Sequence, residues 1–243
     1  MLRQDGRSTL QMRPIRIVPS FTKHAEGSVL VEFGDTKVLC TVCVDDSIPP
    51  FLRNSQPPQG WLTAEYSMLP SATNTRTKRE RPAPSGRTQE IQRLIGRALR
   101  GVIDLHRATD VTFNIDCDVI QADGGTRTAA ITGAYVALKM AVDSLLRRGK
   151  LKQNPLKDAV AAVSVGLVKG RLLVDLDYSE DSQADLDMNV VMTQSGQFLE
   201  IQGTGERASF TKEQVAEIMD AAQAALQEVF PMQLAASEGR LVE

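Results

Sequence analysis

The sequence predicts an α+β fold of two similar halves, each a β-rich stretch followed by a long helix. Strand-like runs come in groups rather than alternating one by one with helices, which favours α+β over a doubly wound sheet. Three segments have helical length and apolar period. Gly34-Asp35, Lys169-Gly170 and Ser195-Gly196 fall between strand-like runs, where hairpins turn. The 243 residues are 42% hydrophobic and 24% charged, an ordinary globular balance that suits one large domain over 1–243 and excludes a disordered or fibrous chain.

Arg13–Phe21 is the first expected strand, and Ser28–Phe33 with Thr36–Val44 is the first hairpin. Asp45–Gly60 carries Pro49, Pro50, Pro57 and Pro58 and reads as loop; Trp61–Leu69 is a further strand. From Thr73 to Arg87 the chain is basic, with Arg76, Lys78, Arg79, Arg81 and Arg87 against Glu80 alone. Pro82 and Pro84 keep it from being helix or central strand. Ser85 is placed to cap a helix from Arg87 to about His106. Its apolar stripe is Ile91, Leu94, Ile95, Ala98, Leu99, Val102 and Ile103, and Arg93, Arg97 and Arg100 line another face.

Val111–Gln121 alternates as a strand and runs through Ala122-Asp-Gly-Gly-Thr-Arg-Thr128 into an apolar helix from Ala129 to about Leu146. After a polar linker, Arg147–Pro155, come a hairpin of Ala159–Val168 with Arg171–Asp177 and another of Met188–Thr193 with Gln197–Gln202. Thr211 opens a last helix to about Phe230, and residues from about 237 are expected to fray.

Several function classes drop out. The N-terminus, MLRQDGRSTLQMRP, is too polar for a secretory signal, and no apolar run reaches the ~18–20 residues that span a bilayer. A cytoplasmic protein with no membrane partner is expected. Cys40 and Cys43 imitate a redox or zinc half-site, but residues three apart on a strand point to opposite faces. His24 and His106 are the only imidazoles and have no metal-ligand partner at helical spacing. A Ser-His-Asp or zinc hydrolase is therefore not expected.

The net charge of −2 conceals an asymmetry: residues 1–100 hold 15 Lys and Arg against 9 Asp and Glu, the remainder 13 against 21. That suits a polyanion-handling enzyme with a carboxylate site, and equally two solvated faces of unlike sign. Three motifs carry candidate chemistry. In Asp123-Gly-Gly-Thr-Arg-Thr128 paired glycines, a helix start and the Arg127 fork make either an anion site or a plain strand-to-helix turn. Arg87 opens a helix where its charge opposes the dipole, either a misfit that an anion would relieve or simply a solvated arginine. The run Asp175 to Asn189 holds six carboxylates; Asp181 and Asp187 could converge across a short loop, and oxygen-only clusters suit magnesium or manganese. Its plain alternative is a solvated loop.

Taken together, Arg3-Gln-Asp-Gly-Arg7, Ser85 to Arg100, Gln121 to Thr128, Leu176 to Asp181, Asp187-Met-Asn-Val-Val-Met192 and Glu200-Ile-Gln-Gly-Thr204 resemble bacterial ribonuclease PH, in family order from about Arg3 to Phe230. Gln4 departs from the proline usual in the opening motif. The resemblance implies two β-rich halves with a left-handed crossover, an exception to the usual hand, and a homohexameric ring built as a trimer of dimers. It implies a phosphate-dependent 3′-to-5′ exoribonuclease acting on tRNA precursors, with inorganic phosphate as co-substrate, nucleoside diphosphates as products and a reverse reaction that adds nucleotides.

On this reading Arg87, Gly125, Thr126 and Arg127 hold phosphate. Asp181 and Asp187 hold Mg2+, or Mn2+, or Asp187 protonates the leaving oxygen. Arg76, Lys78, Arg79, Arg81, Arg93 and Arg97 bind RNA. Two rivals stand beside it: a noncatalytic RNA-binding subunit of an exosome-like ring, and a metal-dependent hydrolytic nuclease.

Overall fold

The computed structural model describes residues 3–80, 83–205 and 209–243. Strands β1 (Ile15–Pro19), β2 (Gly27–Phe33), β3 (Thr36–Asp45), β4 (Trp61–Met68) and β5 (Thr112–Gln121) form one sheet in the order β1-β2-β3-β5-β4. Strands β6 (Val160–Val168), β7 (Arg171–Val174), β8 (Leu186–Thr193) and β9 (Phe198–Gly205) form a second, β7-β6-β8-β9. The helices are α1 (Gly86–Gly101), α2 (Thr126–Arg147), the single turn α3 (Tyr178–Asp181) and α4 (Lys212–Ser237). The three expected hairpins form: β2–β3, β6–β7 and β8–β9. Only the β4–β5 pair is parallel among the described residues, because α1 carries the chain back between them.

Strand periodicity sorts the side chains. Val29, Val31, Phe33, Val38, Cys40 and Val42 are buried on the inner face of the first sheet, while Cys43 is exposed, so the two thiols of the Cys40/Cys43 pair diverge. Cys40 pairs instead across the ladder with buried Cys117. Its hydrogen bond and the full burial push the Cys117 thiol well above its ordinary range, the inert state of an interior cysteine.

Helix α2 packs against both sheets. On one side Gly133 lets it approach the first sheet: a Cβ there would lie 2.6 Å from Val31 Cγ1 and 2.8 Å from Cys40 Sγ. On the other, Thr132 Oγ1 accepts from the Ala162 N–H of β6 at 3.2 Å. Gln233 of α4 donates to the carbonyls of Thr132 and Val160, both at 2.9 Å. Contrary to expectation, α2 is long and apolar enough to cross a membrane by length and composition alone, yet most of it is buried between the layers. Its apolarity serves contacts on several sides.

Other expectations need correction. Helix α1 stops at Gly101, short of His106. Ile103 bridges Leu156, and Asp104 caps a separate 3-10 turn over Leu105–Arg107. Val102 and Ile103 stay buried, so the apolar stripe outlasts the helix that it suggested. Helix α2 begins at Thr126 rather than Ala129, putting Arg127 in its first turn. Helix α4 continues through Pro231 to Ser237. The tail expected to fray returns to the edge of β1, where Val242 and Ile17 exchange backbone hydrogen bonds of 3.0 and 3.1 Å.

Candidate active site

Strand β5 delivers the chain to Gly124 and Gly125, both left-handed at φ +73° and +62°, a conformation glycine adopts without a Cβ penalty. At Gly124 the fit is also steric. A Cβ would lie 2.6 Å from the Leu176 carbonyl oxygen and 2.8 Å from the Tyr178 nitrogen, so the loop docks directly on the acidic segment of the second half. Gly125 is the N-cap of α2 and offers no side chain to its first N–H groups. Thr126 shares a 2.8 Å hydrogen bond with the Tyr66 hydroxyl, whose burial pushes its titration up.

Arg127 is oriented from two other elements. It donates to Gln202 Oε1 of β9 at 2.8 Å and lies 3.5 Å from Glu90 Oε1 of α1, and Gln202 donates in turn to Glu90 at 2.9 Å. Arg87 stands one turn before Glu90, on the same helix face. Ser85 caps α1 as expected, accepting from the Thr88 N–H at 3.3 Å. Glu80 accepts from the Ser85 N–H and the Thr88 hydroxyl, each at 3.0 Å; those hydrogen bonds hold its carboxyl below the usual range. The one acid of the basic segment thus fastens that segment to α1. Arg87 is exposed and makes no ion pair among the described residues.

The acidic run is neither a solvated loop nor mainly a metal site. Asp175 is wholly buried and accepts from Arg13 Nε at 2.9 Å and Nη2 at 2.7 Å. Asp177 caps α3, accepting from the Glu180 N–H at 3.0 Å and the Ser179 hydroxyl at 2.7 Å. Glu180 is gripped by Arg3 through both oxygens. Asp181 ends α3, a helical turn where a plain loop was expected. Asp187 shares a face of β8 with Asn189, which donates to it at 3.3 Å.

These elements enclose a cleft of about 580 Å3 lined by Arg87, Gly124, Gly125, Thr126, Arg127, Asp181 and Asp187 among others. Among the described residues no three His, Cys, Asp or Glu side chains gather as a metal cluster. Two carboxylates beside Asn189 and Thr204 still fit magnesium or manganese, which bind through one or two carboxylates and complete their shell with water and substrate phosphate. They do not fit zinc, which takes nitrogen and sulfur.

Among the described residues, those expected to bind RNA do not line this cleft. Arg76, Lys78 and Arg79 are exposed on the segment leading to α1, and Arg81 lies outside the described residues. Arg93 is exposed. Arg97 makes an ion pair with Glu200, Nε to Oε2 3.1 Å, so its charge is already engaged. Sequence reasoning gave no role to Glu90, Asn189 or Gln202, although Glu90 stands at helical spacing from Arg87, Asn189 at strand spacing from Asp187, and Gln202 inside the Glu200–Thr204 motif.

Two sequence profiles cover most of the chain: 3′ exoribonuclease family domain 1 over residues 11–142, and domain 2 over residues 158–225. The chain belongs to the 3′ exoribonuclease family. Solved structures of the same fold include rice (Oryza sativa) Rrp46, with a TM-score of 0.80 and 19% identity over 97% of this chain and 100% of that one. Another is the Archaeoglobus fulgidus exosome with RNA bound to the active site, TM-score 0.80 and 23% identity over 95% and 92%. An archaeal exosome core gives TM-score 0.75 and 20% identity over 98% and 91%. At these identities the likeness is one of fold. The shared ground is the ribonuclease PH-like family, wider than its bacterial branch.

Proposed function

We propose that this member of the family is an active phosphorolytic enzyme, trimming the 3′ ends of tRNA precursors in the cytoplasm and releasing nucleoside diphosphates. The observation that carries the reading is one cleft holding two arginines from two helix starts together with two carboxylates from α3 and β8. A hydrolytic nuclease needs the carboxylates but has no use for a second anion site.

The chemistry follows from charge. Inorganic phosphate and the terminal phosphodiester are both anions, so they must be neutralised and aligned before they react. Arg127, held by Gln202 and Glu90, presents a fixed fork; Arg87 and the first N–H groups of α2 at Gly125 and Thr126 complete the cradle. A phosphate oxygen attacks the last phosphorus, the bond to the preceding 3′ oxygen breaks, and that oxygen takes a proton. The products are a nucleoside diphosphate and RNA one residue shorter. Asp187 stands to deliver the proton, and Asn189 orients its carboxyl group. Asp181 and Asp187 would alternatively hold Mg2+ or Mn2+, which when bound supplies charge stabilisation to the reacting phosphoryl oxygens. The reverse reaction uses the same groups to extend RNA from diphosphates.

A homohexameric ring, a trimer of dimers, belongs to the same proposal. It is supported by β9, an edge strand whose Phe198 and Ile201 are 41% and 47% exposed, since exposed apolar edges are usually covered. The second reading is a noncatalytic ring subunit, favoured by an exosome core among the structures of like fold. One experiment separates all three. RNA with a single-stranded 3′ tail, incubated with and without inorganic phosphate, yields diphosphates only with phosphate if the proposal holds. Monophosphates in both reactions mark a hydrolase; RNA bound but uncut marks the inert subunit.

A further inference from the structure

We infer that Arg13 is a positioning residue that, with Thr36, fixes the peptide planes of the phosphate loop and ties them to the carboxylate segment; this deepens the phosphorolytic reading and rests on it. Arg13 is 5% exposed and lies outside the cleft lining. Its backbone N–H, Nε and Nη2 bind both oxygens of Asp175 at 2.8, 2.9 and 2.7 Å. The same guanidinium turns its other edge to the Gly-Gly loop, where Nη1 donates to the Asp123 carbonyl and Nη2 lies 3.5 Å from the Gly124 carbonyl. Thr36, fully buried at the start of β3, donates to the Gly124 carbonyl at 2.6 Å and accepts from the Asp123 N–H at 2.9 Å.

The consequence is geometric. In a planar trans peptide the carbonyl and the following N–H point in opposite directions. With the Asp123 and Gly124 carbonyls pinned inward, the N–H groups of Gly124 and Gly125 turn away from Arg13, and both residues line the cleft. Glycines with left-handed backbones can rotate their peptide planes cheaply, so something must choose the orientation; Arg13 and Thr36 do. The other end of the clamp fixes the acids. Arg3 donates to the carbonyls of Val174 and Asp175 at 2.6 and 2.9 Å and grips Glu180, while Arg7 donates to the Asp175 carbonyl at 3.1 Å. Chain direction into α3, and so the place of Asp181, is set there. Burying such ions contributes little net stability; here it joins two loops from opposite halves in one register.

The test uses the full-length enzyme with a short single-stranded RNA, measuring phosphate KM, RNA KM, kcat and thermal unfolding. Thr36→Val removes the hydroxyl without leaving a buried charge. Phosphate KM should rise about tenfold with RNA KM unchanged and the cooperative melt retained. Arg13→Lys cannot reproduce the fork and should lower kcat/KM for phosphate about 100-fold. Arg16→Gln, which loses an exposed pair with Glu243 and a pair with Glu32 that Lys37 still holds, is the control and should leave phosphate KM unmoved. If both variants keep the wild-type phosphate KM and lose only kcat in step with their folded fraction, the role is structural and the inference is wrong. If Arg13→Lys fails to fold, Thr36→Val alone decides. A wild-type enzyme that releases no diphosphate overturns the phosphorolytic reading itself, and the clamp as a device for that reaction falls with it, before any variant is compared.

Discussion

Arg127→Ala should lower kcat/KM for phosphate by about 100–1,000-fold, the ~2.7–4 kcal/mol that one preorganised donor contributes to a transition state. The structure gives the reason for that magnitude. The side chain is only 17% exposed and already held by Gln202 at 2.8 Å and Glu90 at 3.5 Å, so little ordering is left to oppose the gain on binding. Arg127→Lys should recover little, because a point charge cannot grip two oxygens. Gln202→Leu leaves the guanidinium in place but removes the acceptor that aims it, and frees Glu90 to compete with phosphate for the fork. A hydrogen bond to a charged group contributes ~1.5–3 kcal/mol, and in an open cleft the lower end applies, about tenfold. Because Gln202 acts through Arg127, adding Gln202→Leu to Arg127→Ala should cost less than about twofold more, a coupling close to the whole single-variant effect. The assay is initial-rate diphosphate release across a phosphate titration on a short single-stranded RNA. Unchanged phosphate kinetics in Arg127→Ala, or fully additive losses in the double variant, would refute the reasoning.

Asp187→Asn should abolish phosphorolysis and the reverse polymerisation together, with the melt and assembly state retained; unequal losses of the two directions near equilibrium would remove Asp187 from a shared transition state. Replacing Arg76, Lys78, Arg79 and Arg81 by alanine should weaken binding of a tRNA precursor and flatten its salt dependence by up to ~0.7–0.9 for each RNA phosphate no longer neutralised, while turnover of a short oligonucleotide changes much less; equal losses on both substrates with a dissociated assembly on sizing would assign the segment to packing instead. Asp116→Asn should raise Tm at neutral pH by ~1–3 °C. Burial, then Glu65 opposite it in the ladder and Asp118, push the Asp116 carboxyl up. A carboxyl that titrates higher folded than unfolded costs stability while ionised, so the gain should be full above its folded value and vanish as pH falls below the ordinary aspartate range; a gain independent of pH would contradict that origin.

The architecture was legible wherever the pattern was local. Hairpins at Gly34-Asp35, Lys169-Gly170 and Ser195-Gly196 need only turn chemistry and strand period, and all three form. Helix ends were less legible because tertiary contacts set them. Val102 and Ile103 keep the apolar period of α1, but the pairing of Ile103 with Leu156 takes their backbone out of the helix. Pro231 is tolerated inside α4, where a proline rule alone would have ended it. The tail beyond Ser237 reads as polar and loose, and only its return to Ile17 gives it a place.

The site was legible as motifs and illegible as a network. Arg87, the Gly-Gly-Thr-Arg turn, Asp181 and Asp187 could each be singled out because their types are unusual at their positions, yet the groups that hold them are ordinary residues far away in sequence. The charge asymmetry shows why. An excess of base in the first hundred residues and of acid in the rest suited a polyanion-handling enzyme with a carboxylate site, and equally two solvated faces of unlike sign. Much of it is instead a buried seam: Arg3, Arg7 and Arg13 from the chain's beginning close on Asp175, Asp177 and Glu180. Once those pairs are subtracted, three carboxylates of the acidic run remain, and two of them, Asp181 and Asp187, line the cleft while Asp185 does not. That smaller number suits the proposed reaction, since a cleft that is to admit two phosphate anions cannot also carry a dense field of carboxylates. The clamp therefore does two things at once: it fixes the loops that meet the substrate and removes from the site the negative charge that would repel it.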